Sequence, residues 1–286
     1  MAEQTSYLLG LVGQGIGASL TPAMQEREGH EAGLRLSYRL IDADVRGIGV
    51  DDLRDVLLWA QRLGFDGLNV THPFKQAVVP LLDDLSPDAA DLGAVNTVVL
   101  RDGRALGRNT DWAGWSRAFT EALPDATADR AVLVGAGGAG VAVGYGLLSQ
   151  GAEHVAVVDS DHDRAEACVV RLAKRFGDDR VTVATDLERA VGDAQGVVNA
   201  TPVGMLGHPG TSVPAELVDE RLWVSDVVYF PLETELVRLA RSRGCRVVTG
   251  GGMAVQQAVG AFEHFTDRPA DADRMARHFA ELTRAA

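Results

Sequence analysis

From Asp129 onward this 286-residue chain repeats one rhythm: a short apolar run, a glycine or polar turn, then a helical stretch. That repetition limits the fold more than any other feature. AVLV (131–134), bounded by polar residues and Gly135, suits a strand buried on both faces. VAVV (155–158), RVTVA (180–184), GVVN (196–199) and WVSDVVY (223–229) read as further strands, with helical segments between most of them. Alternation of this kind predicts an α/β fold with a doubly wound parallel sheet.

The first 110 residues follow a looser version of the same rhythm. YLLGLV (7–12), LSYRLIDA (36–43) and GLNVT (67–71) read as strands. Leu53, Val56, Leu57, Ala60 and Leu63 recur at helical spacing, with Gly64 placed to end the helix. NTVVL and RALG flank Asp102-Gly103, which predicts a type I′ hairpin. The residues from Gly252 onward read as two helices. The expected division is therefore 1–112 plus 252–286 for one domain and 113–251 for the other.

Gly135-Ala136-Gly137-Gly138-Ala139-Gly140 places G-x-G-x-x-G between a predicted strand and a predicted helix. The first glycine permits the tight turn, the second lets backbone approach a pyrophosphate, and the third lets helix and strand pack closely. Free N–H groups at the helix start favour the phosphates. Asp159 ends the next strand, 19 residues beyond Gly140. A carboxylate there accepts hydrogen bonds from the adenosine ribose of NAD and repels a 2′-phosphate. Asp161 or Ser160 caps the following helix, and Asp163 and Glu166 suit its first turn.

Composition removes other classes. A net charge of −13 argues against nucleic acid and anionic membranes as partners, while a local site still admits an anionic small molecule. Two distant cysteines, Cys168 and Cys245, match a reduced cytoplasmic protein. The N-terminal MAEQTSYLLGLVG lacks a basic region, and its apolar run is too short for a signal peptide or a span. Seven scattered histidines without HExxH give no reason to expect a metal.

Three polar stretches in the first domain exceed what a bare fold needs. Thr21, before Pro22, is placed to N-cap a helix; with Ser19 it also forms a small-anion site suited to a carboxylate. Asn69 and Thr71 point to one side at a strand end, and Lys75 is expected at the start of a helix, against the dipole. Gly107-Arg108-Asn109-Thr110-Asp111 ends the hairpin. A lysine and an aspartate brought together hold and move a proton at a hydroxyl carbon.

Ser-x-Thr-Pro, Gly-Leu-Asn-Val-Thr-x-Pro-x-Lys, Gly-Ala-Val-Asn-Thr (93–97), Asn-Thr-Asp-x-x-Gly (109–114), the glycine loop, Asn-Ala-Thr-Pro-x-Gly-Met (199–205) and Gln-Ala (257–258) occur in that order. Together they resemble the shikimate dehydrogenase family over nearly the whole chain. The resemblance implies an α/β substrate domain and a Rossmann-type cofactor domain with a cleft between them, the C-terminal helices rejoining the first. It implies hydride transfer between nicotinamide and the ring hydroxyl carbon of a hydroxylated ring carboxylate, with 3-dehydroquinate or 3-dehydroshikimate as the oxidised product. Lys75 and Asp111 become the catalytic pair and Ser19 and Thr21 hold the carboxylate. Asn69, Thr71, Asn96 and Gln257 bind ring hydroxyls or frame the pocket, and Tyr229 lies near the carboxylate. Thr201, Met205, Val228 and Gly250 lie along the cofactor with Gly135, Ala136, Gly137, Gly138, Ala139, Gly140 and Asp159. A monomer or homodimer is expected.

Two departures bear on the branch. Where NADP-linked members carry an arginine facing the 2′-phosphate, this chain reads Asp159-Ser160-Asp161, with Arg164 a helical turn along. Thr21 stands where those members have a second serine. The chain thus resembles the quinate/shikimate dehydrogenase branch that uses NAD. An NADP-linked shikimate dehydrogenase, an aminoshikimate-type dehydrogenase and a non-catalytic ligand sensor are the other readings.

Overall fold

The computed structural model describes residues 5–285. In chain order come β1 (Ser6–Gly13), α1 (Thr21–Glu31), β2 (Arg35–Asp42), α2 (Ala43–Arg46), α3 (Leu53–Arg62), β3 (Gly67–Val70), β4 (Asp84–Leu85), α4 (Pro87–Leu92), β5 (Thr97–Arg101) and β6 (Arg104–Arg108). Then follow α5 (Asp111–Ala122), β7 (Arg130–Val134), α6 (Gly138–Ser149), β8 (His154–Val158), α7 (His162–Phe176), β9 (Val181–Val183), α8 (Leu187–Gly192), β10 (Gly196–Asn199), β11 (Trp223–Asp226), α9 (Glu235–Ser242), β12 (Arg246–Val248), α10 (Gly250–Thr266) and α11 (Ala272–Ala285). The described chain divides into two compact units, one from residues 5–110 and 257–285, the other Asp111–Gln256.

The first unit carries a six-stranded mixed sheet in the order β2-β1-β3-β5-β6-β4. β1 runs parallel to β2 and β3, whereas β5 is antiparallel to β3 and β6. One side of the core joins Leu53, Leu57 and Ala60 of α3 to Leu68, Val70, Phe74 and Val98. The other joins Leu9, Leu11 and Tyr38 to Phe262 and Phe265 of α10. Leu63, expected on the inward stripe of α3, is the helix C-cap and 66% exposed, because Gly64 turns the chain at φ +78°. Asp102 and Gly103 both have positive φ, as a type I′ turn requires.

The second unit is a six-stranded, wholly parallel sheet in the order β12-β11-β10-β7-β8-β9. This is the doubly wound order, with its switch point beside β7. α6 is buried from Gly140 through Leu148, in keeping with a segment apolar on every side. Val132, Val197 and Val224 of three neighbouring strands meet Val191 of α8 and Leu236 of α9 in the core.

Three elements differ from the sequence expectation. Residues 72–78 form consecutive turns rather than a helix carrying Lys75. The Lys75 carbonyl accepts the Val95 N–H at 2.8 Å and Val79 bonds Gln76 instead, so the i→i−4 bond from Val78 N to the Phe74 carbonyl at 3.0 Å does not continue into an α-helix. The strand expected over 223–229 stops at Asp226, whose own carboxylate takes the Val228 N–H at 3.0 Å. β12, three residues long, was not expected, since so short a run carries no periodic signal.

Candidate active site

In the second unit every cofactor-side candidate except Met205 sits just beyond the carboxyl end of a parallel strand. The glycine loop follows β7, Asp159 follows β8, Thr201 follows β10, Val228 follows β11 and Gly250 follows β12. Open α/β sheets bind ligands at this edge, beside the switch point.

Each loop glycine has its own physical reason. Gly135 adopts φ +101°, a left-handed conformation that favours glycine. A Cβ on Gly140 would lie 1.9 Å from the Gly135 carbonyl oxygen, so only glycine lets α6 close onto the strand end. Gly137 and Gly138 differ: a Cβ on either meets nothing within 4 Å. No packing demand of the protein explains these two glycines. They leave space beside the N-terminus of α6, where no side chain caps the helix. That is the room and the dipole a pyrophosphate requires.

The Asp159 side chain is 6% exposed and points into this loop. Its Oδ2 accepts the Ala136 N–H at 2.7 Å, and its Oδ1 accepts the Asp161 N–H at 2.9 Å. Asp161, not Ser160, caps α7 by accepting the Arg164 N–H at 3.1 Å. The Arg164 guanidinium meets Asp161 at 3.0 Å and lies 3.9 Å from Asp159. The Arg164 backbone N–H and guanidinium hold the Asp161 carboxyl below its ordinary range. Asp163 occupies the first turn of α7 as expected, while Glu166 pairs with His162 at 3.2 Å.

Thr201 donates its hydroxyl to Asn199 Oδ1 at 2.6 Å. Val228 is buried, while Met205 and Tyr229 are about two-fifths exposed at 41% and 38%. A Cβ on Gly250 would lie 2.4 Å from the Val227 carbonyl oxygen, so glycine lets α10 begin against that turn.

In the first unit the structure gathers Asn69, Asn96, Thr97 and Thr110 into one buried polar cluster. Asn69 donates to the Asn96 carbonyl at 3.1 Å and to Thr97 Oγ1 at 3.0 Å, and its Oδ1 accepts the Tyr38 hydroxyl at 2.7 Å. Asn96 Oδ1 accepts from Thr110 N at 2.9 Å, and its amide donates to Thr110 Oγ1 at 2.9 Å. The Val95 bond to the Lys75 carbonyl ties the Lys75 turn to the same segment. Lys75 is half-buried on that turn, and Asp111, buried at 3% exposure, is the first residue of α5.

At the start of α1 the N-cap is Leu20 without a side-chain bond, and Thr21 is already helical. The expected Thr21 cap is therefore corrected: Ser19 Oγ accepts the Thr21 N–H at 3.3 Å instead. Thr71 and Gln257 are partly exposed. Sequence reasoning passed over Tyr38 and Asp226. Tyr38 lies on an edge strand with no motif, and Asp226 lay inside what read as a longer strand.

Among the described residues no cluster of His, Cys, Asp and Glu could hold a metal ion, and no helix is long and apolar enough to cross a membrane.

Residues 11–98 match the family described as the shikimate dehydrogenase substrate binding domain. The chain is 54% identical over 281 residues to "Shikimate dehydrogenase (NADP(+))" of Streptomyces avermitilis, covering 98% of this chain and 97% of that one. It is 48% identical over 283 residues to "Quinate/shikimate dehydrogenase (NAD(+))" of Corynebacterium efficiens, covering 97% and 99%. The quinate dehydrogenase of Corynebacterium glutamicum in complex with NAD superposes with a TM-score of 0.92 at 46% identity, covering 96% of this chain and 99% of that one. Fold, ordered motifs and full-length identity agree: the chain belongs to the shikimate dehydrogenase family.

Proposed function

We propose that this protein is a quinate/shikimate dehydrogenase that uses NAD in preference to NADP. The observation that carries the cofactor reading is the Asp159 carboxylate, held within the glycine loop by the Ala136 N–H. Ribose hydroxyls donate to such a carboxylate, whereas a 2′-phosphate meets like charge. Arg164, the cation that would offset this, is paired with Asp161.

The bound nicotinamide supplies the hydride chemistry. Lys75 gives or takes the proton of the reacting ring hydroxyl, and Asp111 orients it. Ser19 and Thr21 hold the ring carboxylate at the start of α1. Asn69 has both amide hydrogens committed within its own unit, so it frames the pocket while Thr71 faces the ring.

A kinetic matrix of quinate and shikimate against NAD and NADP tests this reading. NAD should be favoured at least about tenfold in kcat/KM, or roughly 1.4 kcal/mol. Equal or better use of NADP overturns the cofactor preference, and that second reading has the name of the Streptomyces relative in its favour. Lys75→Ala should lower kcat by orders of magnitude with the fold intact; near-normal turnover refutes the assigned role.

A further inference from the structure

Asp226 ends β11 at 1% exposure, and the proposed reaction gives it no task. A buried carboxylate is costly unless its oxygens are well hydrogen-bonded. Here three donors from three segments converge on it. Oδ1 accepts from Asn199 Nδ2 at 2.9 Å and from Val228 N at 3.0 Å, and Oδ2 accepts from Thr234 Oγ1 at 2.7 Å.

Each donor continues into a loop at the carboxyl edge of the sheet. Asn199 also donates to the Val203 carbonyl at 3.0 Å and accepts the Thr201 N–H at 3.1 Å and the Thr201 hydroxyl. Val228 begins the turn that carries Tyr229 and abuts Gly250. Thr234 caps α9 by accepting the Val237 N–H at 3.1 Å. The two loops also touch one another, through Leu206 N to the Phe230 carbonyl at 3.4 Å.

We infer that Asp226 is a positioning residue: its carboxylate fixes the 199–206 loop against the 227–231 turn and so sets the surface that receives the nicotinamide half of the cofactor. The inference rests on the dehydrogenase reading above, which places Thr201, Met205, Val228 and Gly250 along the cofactor. The glycine loop and Asp159 receive the adenosine and pyrophosphate half. They are tied by bonds that do not pass through Asp226. The two halves of the cofactor should therefore respond differently to its loss.

Asp226→Asn keeps the volume but turns an amide N–H₂ toward one of the three donors. Calorimetry with NADH and with ADP-ribose, which lacks nicotinamide, reads the two halves separately. The expected result is an NADH dissociation constant raised about tenfold, an ADP-ribose constant unchanged within twofold, and kcat lowered at least tenfold. Thr234→Val, which removes one donor and leaves the carboxylate, should shift the same quantities in the same direction by less. Thr234→Ser should restore them, and this pair tests the inference should Asp226→Asn not fold. NADH binding and kcat unchanged in Asp226→Asn overturn it, as does equal weakening of NADH and ADP-ribose, which marks a general scaffold. A wild-type protein that binds ADP-ribose but neither NADH nor NADPH overturns the dehydrogenase reading as well, whereas normal wild-type binding with an indifferent Asp226→Asn overturns this inference alone.

Discussion

The Asp159 carboxylate accepts the Ala136 N–H at 2.7 Å, so the residue proposed to read the ribose is bonded to the loop proposed to hold the phosphates. The acid is thereby fixed against the loop and cannot withdraw without freeing a loop N–H; in the proposed binding mode it opposes a 2′-phosphate. Asp159→Asn removes the charge at nearly constant volume. The NAD-to-NADP ratio of kcat/KM should fall at least about tenfold, near 1.4 kcal/mol, chiefly through KM. An unchanged ratio, measured by steady-state kinetics with both cofactors, contradicts the role.

Two glycine substitutions separate ligand space from packing space. Gly137→Ala adds a methyl where nothing lies within 4 Å, at an ordinary φ of −72°. Its melting temperature should match wild type while the dissociation constant for NADH rises about tenfold or more. Gly140→Ala sets a methyl against the Gly135 carbonyl and should cost about 1–3 kcal/mol of stability. Thermal denaturation beside cofactor titration distinguishes the two patterns.

Tyr38→Phe removes the hydroxyl that bonds Asn69 Oδ1 and leaves that buried oxygen unsatisfied. The expected loss is about 1–3 kcal/mol in urea denaturation at neutral pH. Burial also raises the Tyr38 phenol well above its ordinary value of 10.0. The folded state therefore keeps the proton after the unfolded chain releases it. Wild-type stability from this group is complete below pH 10 and falls as pH rises from there toward the folded value. The gap between wild type and Tyr38→Phe should narrow above that point, by up to about 1.4 kcal/mol per pH unit.

Asp226 makes the opposite case at acid pH. Desolvation raises its carboxyl above 3.8, against the lowering effect of its three donors. A raised carboxyl favours the folded state most when protonated, so its contribution declines as pH climbs from about 4 through the folded value. Asp226→Asn does not titrate. Denaturation at stepped pH should show the stability difference moving in favour of the variant between acid and neutral pH. A difference that moves toward wild type over that range contradicts the sign.

Much of the second unit was legible because its signals are local. Gly135, Gly140 and Asp159 lie within one strand–turn–helix–strand stretch, and each answers a backbone or spacing demand set by near neighbours in sequence. The Asp102-Gly103 hairpin is of the same kind. Lys75 shows where local signals stop: the helix expected at it is absent, and its carbonyl accepts the N–H of Val95, twenty residues away.

By itself the sequence determined the winding of the cofactor sheet, the glycine loop, the acid that follows the second strand and the ordered motifs of the family. Tertiary structure alone decided which polar groups share a buried partner. Tyr38 reaches Asn69 because β1 lies between β2 and β3 in the sheet, and Asp226 gathers Asn199, Val228 and Thr234 because β10 and β11 end side by side. The physical reason is range. Backbone conformation and amphipathic spacing are set by adjacent residues, but a buried hydrogen bond must be completed by whichever chain segment packing brings there.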